Sequence, residues 1–187
     1  KTDFRFIDAL KDEFNKCDSF LLTVSFIKYA GLILIKREIE DALERGAKGM
    51  LITSTYQNFT DIASLNYFYD LSLKYENFLV HLDYGCSGDN GYHSKGYLFK
   101  HGDTYNMLVG STNITRFALL KNVEWNVGIS SLTSSDAIMD ALDEFDYLWN
   151  KTIKLDKVLI KNYQMQLNYA IEKWDMDYIT SYTGIKP

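Results

Sequence analysis

A chain of 187 residues with 47% apolar and 15% aromatic residues and a single proline is sized and composed for one packed domain, which excludes a disordered polypeptide. No apolar run approaches the ~20 residues that a membrane-spanning helix needs, and the amphipathic start KTDFRFIDALKDEF lacks a signal-peptide core, so a soluble cytoplasmic protein without a membrane partner is expected. The formal net charge of −5 argues against a uniformly basic nucleic-acid binder, but the balance is uneven: residues 93–121 hold Lys95, Lys100, Arg116 and Lys121 against Asp103 alone, whereas residues 133–150 hold five acids and no base.

Residues 4–16 place Phe6/Ile7, Leu10 and Phe14 at helical spacing, and SFLLTVSFI at 19–27 has the composition of a buried strand. The stretch from there to Arg45 sets Leu32, Ile35, Ile39 and Leu43 opposite Lys36, Arg37, Glu40, Asp41 and Glu44, which predicts one amphipathic helix stopped by Gly46. A second strand follows at 48–54, so the three elements make a β-α-β unit with parallel strands and a right-handed crossover. Thr53 to Tyr56 ends that strand at the carboxyl edge, where open α/β sheets bind ligands; an ordinary polar strand end is the competing reading.

Thr60 and Asp61 cap a helix reaching about Lys74, and residues 77–83 form a third strand in which His81 is a core or edge histidine. The Gly-rich segment 84–92 has no P-loop spacing and is expected to form a flexible lip. Beyond the site strands, Thr133 with Asp136 predicts a capping-box start to a helix ending at Trp149, with Ile138, Met139, Leu142, Phe145 and Trp149 inward. Residues 155–175 form a less regular amphipathic helix. Cys17 and Cys86 belong to no C-x-x-C pair and predict neither zinc site nor disulfide.

The chemistry concentrates in residues 93–127. If His93, Ser94 and Lys95 are extended, His93 and Lys95 share one face and put an imidazole beside a fixed cation. Two strands, at 97–99 and 105–109, turn at His101-Gly102-Asp103; the second runs into Gly110-Ser111-Thr112-Asn113, a small-residue segment able to present donors to an anion. A third strand at 123–127 alternates Val123, Trp125 and Val127 on one face with Glu124 and Asn126 on the other. Imidazole, ammonium, amide and carboxylate together suit phosphoryl chemistry. Nothing near 93–124 assembles three or four metal ligands, so no metal or other cofactor is expected.

His93, Lys95, Gly110, Ser111 and Asn113, in the order H-x-K then G-S-x-N, resemble the signature of the phospholipase D superfamily, with Glu124 where its nuclease branch carries a Glu. The common motif has an Asp five residues after the Lys, and here that position is Lys100, which aligns the chain with nuclease-type variants lacking that Asp. The resemblance implies an α/β fold with a mixed central sheet flanked by helices on both faces. It also implies a phosphohistidine on His93, oxyanion binding by Lys95, Asn113 and Ser111, and an imidazole oriented by Glu124. Element order in 19–54 is similar to the phospholipase D-like domain found ahead of superfamily II helicases and in metal-independent restriction endonucleases.

The function so implied is metal-independent cleavage of DNA. A lipid-directed phosphodiesterase and a non-catalytic nucleic-acid-binding module are the alternatives. Residues 1–152 are expected to form the nuclease domain and 153–187 a helical extension toward helicase domains of a longer parent, as a chain starting at Lys1 suggests. The chemistry needs two imidazoles and the chain has one H-x-K, which predicts a homodimer whose shared site sets His93 against His93; a monomer whose second motif sits elsewhere in a longer parent is the alternative.

Overall fold

The computed structural model describes residues 5–84 and 92–183, with side chains through residue 173. In chain order the first half contains α1 (Phe6–Phe14), β1 (Ser19–Val24), α2 (Tyr29–Leu32), α3 (Lys36–Glu44), β2 (Lys48–Ser54), α4 (Ile62–Lys74) and β3 (Phe78–Asp83). The second half contains β4 (Lys95–His101), β5 (Thr104–Gly110), α5 (Arg116–Leu120), β6 (Asn126–Leu132), α6 (Asp136–Lys151), β7 (Ile153–Lys154) and α7 (Lys157–Thr183). The strands form one mixed sheet in the order β6-β5-β4-β1-β2-β3-β7. β1, β2 and β3 run parallel, whereas β4, β5 and β6 are added antiparallel on one side and β7 on the other.

Alternation along β1 decides the layers. Phe20, Leu22 and Val24 join the main core with Leu10 and Phe14 of α1, Ile39 and Leu43 of α3, and Leu65 and Phe68 of α4, while Leu21 faces the opposite side. That opposite side is covered by α6, whose Ile138 packs on Leu98, Tyr105 and Met107 and whose Phe145 packs on Ile52 and Tyr92. Leu155, Ile160 and Tyr163 belong to the main core, and β7 pairs with β3, so the chain past residue 152 continues the same body.

Several local expectations are corrected. The single helix to Arg45 is two, α2 and α3, separated at Ile33–Ile35. Within α2, Gly31 lies against the α5 N-cap: a Cβ there would lie 2.5 Å from Thr115 Cα, so the two backbones touch just before the turn at 33–35. Helix α6 starts without a capping box, because Thr133 Oγ1 instead donates to Asp103 O at 3.0 Å and ties β6 to the β4–β5 turn. Met139 faces solvent rather than the core.

Other expectations hold. Asp61 caps α4 by accepting from Ser64 N at 2.9 Å, and Gly102 turns β4 into β5 with φ +56°. His81 is structural, stacked on Trp149 at 3.6 Å with Nδ1 facing Trp149 O and Thr152 Oγ1. Cys17 is a buried thiol whose pKa burial pushes up to about 11, which keeps it protonated and inert. Cys86 and most of the predicted lip, residues 85–91, lie outside the described residues. No described helix is long and apolar enough to cross a membrane.

Candidate active site

The carboxyl ends of β1, β2 and β3, the start of β4, the end of β5 and the start of β6 all meet at one edge of the sheet. That edge gathers His93, Lys95, Ser111, Asn113 and Glu124, the five residues in which the sequence places the chemistry.

Lys95 opens β4 opposite Val24 and is 6% exposed. A buried ammonium needs acceptors, and it has two: Nζ donates to Ser25 Oγ at 3.0 Å and to His93 O at 2.9 Å. Ser25 is itself fixed, donating from Oγ to Ser94 O at 3.0 Å, while its own carbonyl accepts from Ser54 Oγ at 2.6 Å. Desolvation holds the Lys95 pKa below the ordinary lysine value, and the nearby Glu124 carboxylate pulls the other way.

His93 precedes the strand instead of belonging to it, because β4 begins only at Lys95; the imidazole is exposed, with its ring edge-on to Tyr56 at 5.7 Å. Partial desolvation, followed by the Lys95 ammonium, keeps its pKa below the ordinary imidazole value. A neutral imidazole is the nucleophilic form, so this environment favours attack near neutral pH.

Gly110 is required by close approach, since a Cβ would fall 2.1 Å from Trp125 O. Beyond it Ser111 Oγ donates to Glu124 Oε2, and Trp125 N donates back to Ser111 Oγ at 3.0 Å. Asn113 is buried, with Oδ1 accepting from Phe26 N at 3.3 Å, and its Nδ2 is the donor of the carboxamide that has no partner among the described residues. Glu124 also accepts from Asn122 Nδ2 at 3.2 Å.

The third site strand is displaced from its expected position: β6 starts at Asn126, and Val123 to Trp125 is irregular chain. The alternation itself is kept. Val123, Trp125 and Val127 point to solvent, 94%, 83% and 60% exposed, while Glu124 and Asn126 line a cavity of about 420 Å³ beside α1 and α5. A second cavity of about 340 Å³, under α6, is lined by His93, Ser94, Lys95, Gly110 and Glu144.

Lys100 is not part of the site. It lies five residues along β4, roughly 17 Å by the strand rise of ~3.3 Å per residue, and on the opposite face from Lys95. The departure from the common motif at this position therefore leaves the cluster around Lys95 unchanged.

Two contributors were not read from the sequence. Ser25 was absorbed into an apolar strand run, where its hydroxyl was the one available signal, and Tyr56 was seen only as part of a polar strand end. Among the described residues no group of three or more His, Cys, Asp or Glu side chains is placed to hold a metal ion.

No family model and no curated protein sequence matches the chain. Solved structures do. NucT from Helicobacter pylori matches with a TM-score of 0.62 at 20% identity, over 79% of this chain and 89% of that one. Nuc from Salmonella typhimurium, a phospholipase D family member, gives 0.60 at 18% identity over 79% and 88%. Phosphatidylserine synthase from Haemophilus influenzae Rd KW20 gives 0.59 at 17% identity, over 92% of this chain but 44% of the other. The mixed seven-stranded sheet flanked by helices is thus a phospholipase D-like fold.

Proposed function

We propose that the chain is a metal-independent phosphodiesterase that cleaves DNA through a phosphohistidine. The observation that carries this reading is the clamped Lys95, whose Nζ bridges Ser25 Oγ and the carbonyl of His93 beside an exposed imidazole of lowered pKa.

In the first step the neutral His93 ring attacks phosphorus, an N–P bond forms, and the P–O bond to the leaving group breaks. A second imidazole gives its proton to the departing oxygen. Water then attacks the phosphohistidine, loses a proton to that same imidazole, and releases His93. Lys95, Asn113 Nδ2 and the Ser111 hydroxyl bind the non-bridging oxygens, fixed donors being worth most where charge develops.

His81 is committed to Trp149 and Thr152, and His101 bonds Glu13 at 2.6 Å at the far end of β4, so neither supplies the second imidazole. It is His93 of a second copy. Among the described residues Glu124 accepts from Ser111 and Asn122, and the imidazole assigned to it in this reading is the one arriving from that copy. Val109, Val123, Trp125 and Val127 are exposed apolar side chains on and beside the edge strand β6, near the site, and support a two-fold interface there.

Lipid cleavage is the reading to separate, since phosphatidylserine synthase shares the fold. DNA is favoured by Glu124, the residue that marks the nuclease branch in the resemblance, which here fixes Ser111 and acts on Lys95. A place beside helicase domains of a longer parent rests on the element order of residues 19–54 alone. Purified protein incubated in excess chelator with plasmid DNA and with phosphatidylcholine vesicles decides the substrate: nicked plasmid and intact lipid are expected. Lipid turnover alone would reassign the enzyme, and turnover of neither would make it a binding module.

A further inference from the structure

Gln57 and Asn58 hold consecutive left-handed backbone conformations, at φ 50° and 59°. Residues with side chains keep that conformation only where surrounding contacts impose it, and such turns concentrate at working surfaces. The contacts are present here. Asn58 N donates to Thr55 O at 2.9 Å and Asn58 Oδ1 accepts from Gln166 of α7 at 3.0 Å. Thr60 Oγ1 donates to Ser54 O at 2.6 Å, and the buried Tyr163 hydroxyl donates to Thr60 O at 2.9 Å.

This pinned turn presents aromatic rings at the edge of the site. Tyr56 stands edge-on to His93, and Phe59, 44% exposed, meets Phe26 at 5.1 Å with the rings tilted by 59°. Phe26 in turn gives its N–H to Asn113 and follows Ser25, the residue that holds Lys95. Ile27 is fully buried, whereas Phe26 and Lys28 on either side of it are half-buried, which leaves a ring and a cation partly open beside the turn. An exposed ring on a rigid turn contributes little to the core, and its position beside the oxyanion donors calls for a planar partner.

We infer that Phe26 and Phe59, with Tyr56, form a stacking platform for an unpaired nucleobase next to the phosphate held at Lys95, so that the substrate is single-stranded nucleic acid. Bases inside a duplex already stack on their neighbours and have no free face to offer. The inference rests on the nuclease reading for the position of the phosphate; the platform itself rests on the rings. Stacking on an aromatic side chain is tolerant of sequence, so discrimination is by strandedness and not by base identity.

Fluorescence anisotropy in excess chelator tests it with three labelled ligands of equal length: an oligothymidylate, an abasic backbone of the same charge, and a duplex. The wild-type chain is expected to bind oligothymidylate about tenfold or more tighter than the abasic strand, the effect of a stacked base. It should also bind it tighter than the duplex. Phe59→Ala should erase the preference for bases and Phe59→Trp should retain it, without change in sedimentation. Equal binding of oligothymidylate and abasic strand overturns the platform, as does a Phe59→Ala loss that is the same for both. Equal binding of the duplex overturns the single-strand assignment. Cleavage is read separately in the same samples: base-dependent binding without any cleavage sinks the nuclease reading and keeps the platform, and base-independent cleavage does the reverse.

Discussion

Lys95 Nζ and Ser25 Oγ lie 3.0 Å apart across the end of the β1–β4 pairing, joining the parallel part of the sheet to its antiparallel part at the site. Ser25 is thereby a positioning residue for the cation. Ser25→Ala should leave the fold intact and lower the cleavage rate by roughly tenfold, about the effect of one hydrogen bond to a charged group. Lys95→Ala should cost on the order of a hundredfold or more, the loss typical of a donor to a developing oxyanion. Single-turnover rates on a labelled oligonucleotide compare the two, and a Ser25→Ala loss as deep as that of Lys95→Ala would place Ser25 in direct contact with substrate.

The acid side of the pH profile follows from His93. Desolvation and the Lys95 ammonium both disfavour its charged form, so its midpoint lies below the ordinary 6.5. The neutral ring is the nucleophile, so activity is expected to fall only as pH drops below that value. Removing the cation removes one of the two depressing influences, so Lys95→Met should move the His93 midpoint upward. With three histidines in the chain, NMR titration of the imidazole signals measures this without any turnover.

Gly110→Ala tests the junction between β5 and β6. The added Cβ would fall 2.1 Å from Trp125 O and 2.7 Å from Asn126 Cα, both backbone atoms, so the strands must part. Overpacking of this kind costs about 1–3 kcal/mol, and the shift would also pull Glu124 from Ser111. Thermal unfolding and cleavage should both suffer, whereas Gly46→Ala, with no heavy atom within 4 Å but φ +94°, should affect stability alone.

Motif spacing carried most of the site. His93, Lys95, Ser111, Asn113 and Glu124 meet at one sheet edge because strand alternation and the Gly102 turn are local properties that a sequence displays. Ser25 and Tyr56 follow the ends of β1 and β2, and their proximity to Lys95 and His93 is set by non-local strand order, which spacing does not encode. The seat of α2 is hidden for the same reason, since Gly31 packs on the backbone of Thr115, a contact more than eighty residues away in the chain. At 123–127 the alternation was legible, but which face is covered was not, because α1 and α5 line the cavity on the Glu124 side while Val123 and Trp125 stand in solvent just before β6.

That exposed border predicts association. The chain of 21.7 kDa should sediment as a dimer at tens of micromolar. Trp125→Glu, at a position 83% exposed and so without cost to the core, should yield a folded monomer that has lost cleavage. A monomeric wild-type chain that cleaves, or a monomeric Trp125→Glu variant at full rate, would refute the shared site.

The account turns on His93 forming a covalent bond to phosphorus without a metal. Rapid alkaline quench of the wild-type chain with a phosphate-labelled oligonucleotide in excess chelator measures it most directly. The expected result is protein-bound label, stable to alkali and labile to acid on standing, mapped to His93 and absent from a folded His93→Ala variant. Cleavage that stops in chelator and returns with magnesium, or a His93→Ala variant that cleaves at the wild-type rate, would contradict it.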